Sequence, residues 1–250
     1  MSEFTDEILN ILILNDVNAS NSMKLQSILS ENNEKLDIII LCMNEKNKLD
    51  NEDNIKSLIP LVEKLCNKVL CLYNEKLDSE GNNIAMNING TKVLLNEKLY
   101  IAGYDEHATD LKDINSIVED TIDDDMLEEQ EMIRQQFNID TAETTTQTIN
   151  EILSSDNSNQ YNGIFVFNYK YTHSLNKFLF YPEIVNTDDI RLLIIPSMSD
   201  EASRLPKSYG NYQILVPKSF STTGVYHKIV MKSLQNQWTI LDINECTIVI

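Results

Sequence analysis

The chain is short of the residues from which most catalytic machinery is assembled. Six glycines in 250 residues leave little material for phosphate-cradling loops, and the sequence has no P-loop and no G-x-G-x-x-G run. A G-x-S-x-G elbow and an H-E-x-x-H helix are also missing. Only three histidines occur, His107, His173 and His227, and they share no metal-ligand spacing. The four cysteines, Cys42, Cys66, Cys71 and Cys246, lie in or beside apolar runs without a C-x-x-C pair. They read as reduced, buried small hydrophobes in preference to a disulfide framework or a zinc site. Apolar runs are short as well. Ile8 to Leu14 cannot span a bilayer and Met1 to Asp6 is polar, so the expectation is a soluble, intracellular chain.

Positive charge is scarce. Twenty Lys and Arg stand against 39 Asp and Glu, a net charge of −19, which repels nucleic-acid phosphates and anionic lipid headgroups. Neither nucleic acid nor membrane is expected as a partner. Between Asp105 and Glu131 twelve carboxylates face a single lysine, Lys112. Ile114, Ile117, Val118 and Ile122 follow helical spacing there, with Met126, Ile133 and Phe137 more loosely, so the segment reads as acidic helices rather than disorder. Asp123-Asp124-Asp125 lacks the glycine and terminal glutamate of a calcium loop.

What the chain does have is a series of apolar strands that break abruptly into polar residues. Ile11 to Leu14 runs into Asn15-Asp16-Val17-Asn18, Leu36 to Cys42 into Met43-Asn44, and Lys68 to Leu72 into Tyr73-Asn74-Glu75-Lys76. Helical spacing over Ser22 to Leu29 and Ile55 to Leu65, the latter broken or kinked at Pro60, separates them and predicts a parallel β-α-β-α-β start. Open α/β sheets place ligands at such strand ends. Further strand candidates are Tyr212 to Val216, Val225 to Met231, Trp238 to Ile243 and Thr247 to Ile250. Asp140 and Glu143 look like a capping pair opening a helix that ends near Leu153. Phe165, Phe167, Tyr169, Tyr171, Phe178, Phe180 and Tyr181 read as sheet packing, and Trp238 as core.

These strand ends resemble those of the calcineurin-like metallophosphoesterases. Asp16-Val17-Asn18 looks like that family's Asp-x-His, Met43-Asn44 like its Gly-Asp, and Tyr73-Asn74-Glu75-Lys76 like its Gly-Asn-His-Asp or Gly-Asn-His-Glu. Leu99 to Gly103 is similar to the family's next strand, Gly163 to Asn168 falls where the strand before its lone histidine lies with Asn168 in that histidine's place, and Ile190 to Ile195 precedes Pro196-Ser197-Met198-Ser199, which sits at its Gly-His-x-His. The resemblance implies one α/β domain over residues 1–250, a four-layer α/β/β/α sandwich. An acidic helical insert at 105–160 and C-terminal β-strands at 205–250 complete it, the latter expected in the second sheet. It also implies a vestigial site made of Asp16, Asn18, Asn44, Asn74, Glu75 and Asn168.

The chemistry decides what the replaced residues mean. Two-metal phosphoester hydrolysis needs two hard cations held by carboxylates and neutral imidazoles, which polarise phosphate and generate hydroxide. Asparagine offers one weak neutral oxygen and cannot bridge two dications. The expectation is therefore no catalytic residue, no metal and no cofactor, with Lys76 balancing Asp16 and Glu75 in place of a cation. The inferred role is an inactive binding or structural subunit of a larger cytoplasmic assembly, cytoskeletal, ciliary or trafficking, with a basic protein surface docking on the acidic insert. The alternative is a weak phosphoesterase holding one Mn or Mg loosely through Asp16, Asn44, Asn74 and Glu75, with His173 reaching in from the loop after Asn168.

Overall fold

The structure, a computed structural model, describes residues 7–17, 22–31, 36–42, 60, 62, 66–72, 85–96, 98–108, 127–154, 162–181, 183–196, 202–234 and 237–248. Among them the chain forms two mixed six-stranded sheets packed face to face and flanked by helices. The first has the order β12-β11-β1-β2-β3-β4. Its parallel centre is β1 (Ile8–Asn15), β2 (Leu36–Cys42), β3 (Cys66–Leu72) and β4 (Ala85–Asn87). β11 (Val225–Leu234) joins antiparallel beside β1, and β12 (Gln237–Thr247) antiparallel beside β11. The first three strands are near-continuous apolar runs because both their faces are buried. Ile11, Ile13, Ile38, Ile40 and Leu70 point into the core between the sheets. Leu12, Leu14, Ile39, Leu41 and Val69 point outward against Leu25 and Ile28 of α1 (Ser22–Glu31) and against Val62.

The second sheet runs β5-β6-β7-β8-β10-β9: β5 (Thr91–Asn96), β6 (Leu99–Asp105), β7 (Asn162–Asn168), β8 (Ile190–Ile194), β10 (Tyr212–Leu215) and β9 (Ser208–Tyr209). Leu99, Ile101, Ile164, Val166, Leu192 and Ile194 meet the first sheet. Tyr100, Ala102, Phe165, Phe167 and Leu193 face the outer layer, formed by α2 (Leu127–Ser154) and α3 (Thr172–Phe180). Phe178 of α3 stacks on Phe165 and tilts onto Phe167, each at 5.5 Å between ring centres, an arrangement that adds about 0.5–1.5 kcal/mol per pair to simple burial. Gly163 is required here because a Cβ would lie 2.2 Å from the Tyr100 ring that crosses it. No described helix is long and apolar enough to cross a membrane.

Several expectations need correction. The C-terminal strands do not all complete the second sheet: β10 does, whereas β11 and β12 extend the first. β11 buries Ile229 and Met231 inward and Tyr226 outward, a two-sided pattern that fits either sheet, and a local pattern does not name its pairing partner. The break expected between Ile243 and Thr247 is absent. β12 is continuous, and Asn244 donates to the Asp242 carboxylate on the exposed side at 2.7 Å, leaving the backbone ladder intact. The short strands β4, β5 and β9 were not anticipated. Asp140 caps nothing, since α2 runs unbroken past it. Its carboxylate instead accepts from Gln136 one turn earlier at 2.7 Å. Phe178 and Phe180 lie on a helix rather than a strand. Of the helix expected over Ile55 to Leu65 only Pro60 and Val62 are described, both helical. Ile114, Ile117, Val118 and Ile122 lie outside the described residues.

Candidate functional site

The carboxyl ends of the parallel strands in both sheets come together at one edge. Burial pushes the Cys42 thiol at the end of β2 far above its ordinary range, helped by the neighbouring Cys71 thiol and by the Asp105 carboxylate at the end of β6. Near the end of β6 the backbone of Gly103 lies against the Leu72 side chain at the end of β3, where a Cβ would come within 2.8 Å of it, so the end of the second sheet meets the end of the first. Cys71, also buried, is pushed up to about 12. Neither thiol is a nucleophile, because a thiol so disposed does not ionise near neutral pH.

Asp16 sits at the turn that ends β1, with a left-handed backbone (φ 56°) that Asp and Asn tolerate better than other residues with a Cβ. Its N–H donates to the Cys42 carbonyl at 2.8 Å, tying the ends of β1 and β2 together. Its Oδ2 accepts two hydroxyl hydrogen bonds, from Ser219 at 2.6 Å and Ser221 at 2.5 Å. Both serines belong to a tight turn after β10. Ser219 caps the one-turn helix α4 (Phe220–Thr223) by accepting from the Thr222 N–H, and Gly224 closes it in the left-handed region. Buried Asn15 fixes this turn against β1 by donating to the Pro217 carbonyl at 2.8 Å, and Lys24 of α1 donates to the Ser221 carbonyl at 3.3 Å.

Asn168 ends β7 in register with Asp105 of β6 and donates its amide to the Asp105 Oδ1 at 3.0 Å. The same oxygen accepts the His107 N–H at 3.1 Å, and the Asp105 N–H donates to the side-chain oxygen of Asn89. Next in the chain, Glu106 is completely buried. Its Oε2 accepts the N–H groups of Lys170 and Tyr171 at the start of α3, and its Oε1 accepts the hydroxyls of Thr145 and Ser174. One carboxylate thus joins the end of β6, the start of α3 and the middle of α2.

Of the six predicted site residues, the described ones are Asp16 and Asn168, each held by different partners. Asn18, Asn44, Asn74 and Glu75 lie outside the described residues, as do Lys76 and Ser197 to Ser199. The histidines stand apart: His173 is exposed on the first turn of α3, His107 bonds the Tyr169 carbonyl at 3.1 Å, and His227 is buried 3.7 Å from Glu245. Among the described residues no three of His, Cys, Asp and Glu gather in a metal-binding arrangement. In this arrangement the Asp16 Oδ2 accepts two hydroxyls and the Asn168 amide directs its NH₂ at Asp105. Sequence reasoning missed Ser219 and Ser221; the Ser-Phe-Ser-Thr-Thr-Gly run has the signature of a capped turn, but nothing local points it at Asp16. A cleft of about 550 Å³ opens elsewhere, between β10 and β12, lined by Lys207, Gln213, His227, Asp242 and Glu245 and by none of the predicted residues.

The architecture is that of the calcineurin-like phosphoesterases. The calcineurin-like phosphoesterase YfkN from Bacillus subtilis superposes with a TM-score of 0.50 at 11% identity, over 96% of this chain and 90% of its own. TT1561 of Thermus thermophilus gives 0.49 at 11% identity, over 94% and 98%. A third solved structure gives 0.52 at 9% identity, over 95% of this chain and all of its own. The superpositions at 0.50 and 0.52 show a likeness of fold, and identities this low say nothing of shared chemistry. No family model matches the sequence, and no curated protein does.

Proposed function

We propose that the protein is a catalytically inactive metallophosphoesterase-like subunit that works by binding other proteins. The observation that supports this reading is the pair of hydroxyls on Asp16. In an active site of this fold that carboxylate would face a dication. Here Ser219 and Ser221, contributed from about 200 residues away in sequence, satisfy it at 2.6 and 2.5 Å. Charge-assisted O–H···O⁻ bonds of this length are strong enough to hold a carboxylate without a metal. The pairing of Asn168 with Asp105 supports the same reading at the other sheet, because it directs an amide N–H where an imidazole ligand would be needed. We place the protein in a cytoplasmic assembly, with the 105–160 segment as an insert in one domain and a basic partner surface on that insert.

The decisive experiment combines elemental analysis with a hydrolysis assay. Protein purified in the presence of Mn²⁺ and Zn²⁺ should carry less than stoichiometric metal. Turnover of a chromogenic phosphodiester should stay at background and be indifferent to Asp16→Asn. Stoichiometric metal, or turnover that disappears in Asp16→Asn, would overturn the reading in favour of a single-metal phosphoesterase.

A further inference from the structure

Helix α2 changes its apolar side halfway along. From Thr141 onward the buried positions are Thr141, Ala142, Thr145, Thr146, Ile149 and Ile152, an i, i+1, i+4 pattern that forms a single stripe against the second sheet. Extended toward the helix start, that stripe passes through Glu131, Arg134, Gln135 and Asn138, all polar. The apolar residues of the first half lie elsewhere. At 100° per residue Met132, Ile133, Phe137 and Ile139 stand about 100° or more from the centre of the buried stripe. Met132 is 63% and Ile139 42% exposed. Phe137 finds an edge-on contact with Tyr171 at 6.0 Å, whereas Met132 and Ile139 stay in water one above the other. Two turns apart on one line of the helix, they form an exposed apolar stripe on its outer side.

We infer that this outer stripe of α2 is the docking surface for an amphipathic, basic helix of a protein partner, an inference that rests on the binding-subunit reading above and names its contact. Charge selects the occupant. From Glu131 onward α2 carries Glu131, Asp140, Glu143 and Glu151 against one cation, Arg134; Glu143 pairs with Lys177 of α3 at 3.6 Å, and the remaining excess of carboxylates along the helix steers a cationic partner. From Met132 the stripe passes Ile139 and Glu143 and reaches Asn150. There it enters a groove of about 490 Å³ lined by Glu143, Asn150, Glu151, Lys177 and Ile184, the last also exposed. The run from Met132 to Asn150 is about 27 Å long at 1.5 Å per residue, enough to seat roughly five turns of a partner helix.

The probe is a fluorescein-labelled helical peptide of about 18 residues, with Leu at i, i+3, i+4 and i+7 and Lys at the exposed positions, titrated against the full chain by anisotropy. It should bind. A scrambled peptide of the same composition, and the Met132→Asp/Ile139→Asp double variant, should each weaken binding at least about tenfold while the melting temperature is unchanged. Raising salt should weaken binding further. Equal affinity for the scrambled peptide would reduce the surface to a diffuse acidic field and overturn the inference, as would an unchanged Kd in the double variant. A wild-type dimer dispersed by the double variant would assign the stripe to a second copy of this chain and overturn it as well. None of these readouts involves hydrolysis. Turnover at the Asp16 edge would therefore sink the inactive reading and leave the docking surface standing.

Discussion

Asp16 and Glu106 are carboxylates at corresponding places, each immediately after a parallel strand, in the first and second sheet respectively. They are treated very differently. Asp16 is partly exposed and uses one oxygen for two hydroxyls that come from a surface turn. Glu106 is wholly buried and uses both oxygens for four donors, two of them backbone N–H groups at a helix start. The difference separates a position that the fold has kept from one on which the fold depends. Removing a buried carboxylate strands donors that no water can reach, whereas removing a half-exposed one returns its partners to solvent.

The largest expected effect tests the dependent position. Glu106→Ala leaves the Lys170 and Tyr171 N–H groups and the Thr145 and Ser174 hydroxyls without their acceptor, and should cost about 3–5 kcal/mol. For a chain of this size that is a fall of roughly 10 °C in melting temperature. Because α2 is tied to α3 through this carboxylate, hydrogen exchange should accelerate first in those two helices. A loss smaller than that of the Asp16 variants would reverse the comparison.

A smaller effect is expected at the kept position. Asp16→Asn preserves an acceptor for Ser219 or Ser221 and suits the left-handed backbone at φ 56°, so it should cost about 1 kcal/mol or less. Asp16→Ala gives up both advantages and should cost roughly 2 kcal/mol. Chelation sharpens the point, because hydroxyls already satisfy the carboxylate and EDTA should leave the melting temperature unchanged. A fall of several degrees on adding EDTA would show that a cation contributes to this edge.

How much of this was legible in the sequence follows from how local each feature is. β1, β2 and β3 announce themselves because two-sided burial demands a continuous apolar run, and α1 because its apolar residues recur at helical spacing. The polar break after β1 marked Asp16 as a strand end, and the resemblance to the phosphoesterase strands marked Asn168 as the end of β7. Long-range pairing left no comparable trace. The Ser219 and Ser221 hydroxyls reach Asp16 across more than 200 residues, and Glu106 looked like one more charge in an acidic run until four donors closed around it. The same limit misassigned β11 and β12. α2 was misread for the opposite reason: Asp140 and Glu143 carry a strong local capping signature, and the burial of Thr141, Ala142 and Thr145 against the second sheet overrode it.

The smallest effect concerns a third buried group, one whose partners are incomplete. His227 lies on the inner face of β11 with its Nδ1 without a hydrogen-bond partner and its Nε2 3.7 Å from Glu245, which itself pairs with Lys218 at 2.7 Å. Burial holds the imidazole below its ordinary value of 6.5, with the Glu245 carboxylate pulling the other way and Lys218 reinforcing the fall. A histidine depressed in the folded state binds its proton more readily when unfolded. Stability is therefore intact above pH 6.5 and declines as the pH falls below it toward the depressed value. Glu245 acts in a separate window. Hydrogen bonding to Lys218 holds its carboxyl below 4.5, so its contribution is lost only as the pH falls below that value. Melting curves from pH 7.5 to about 5 should thus show a decline in the wild type that flattens in His227→Leu, which fills similar space and does not titrate. Identical slopes in the two proteins would mean that the histidine is solvated through the adjacent cleft.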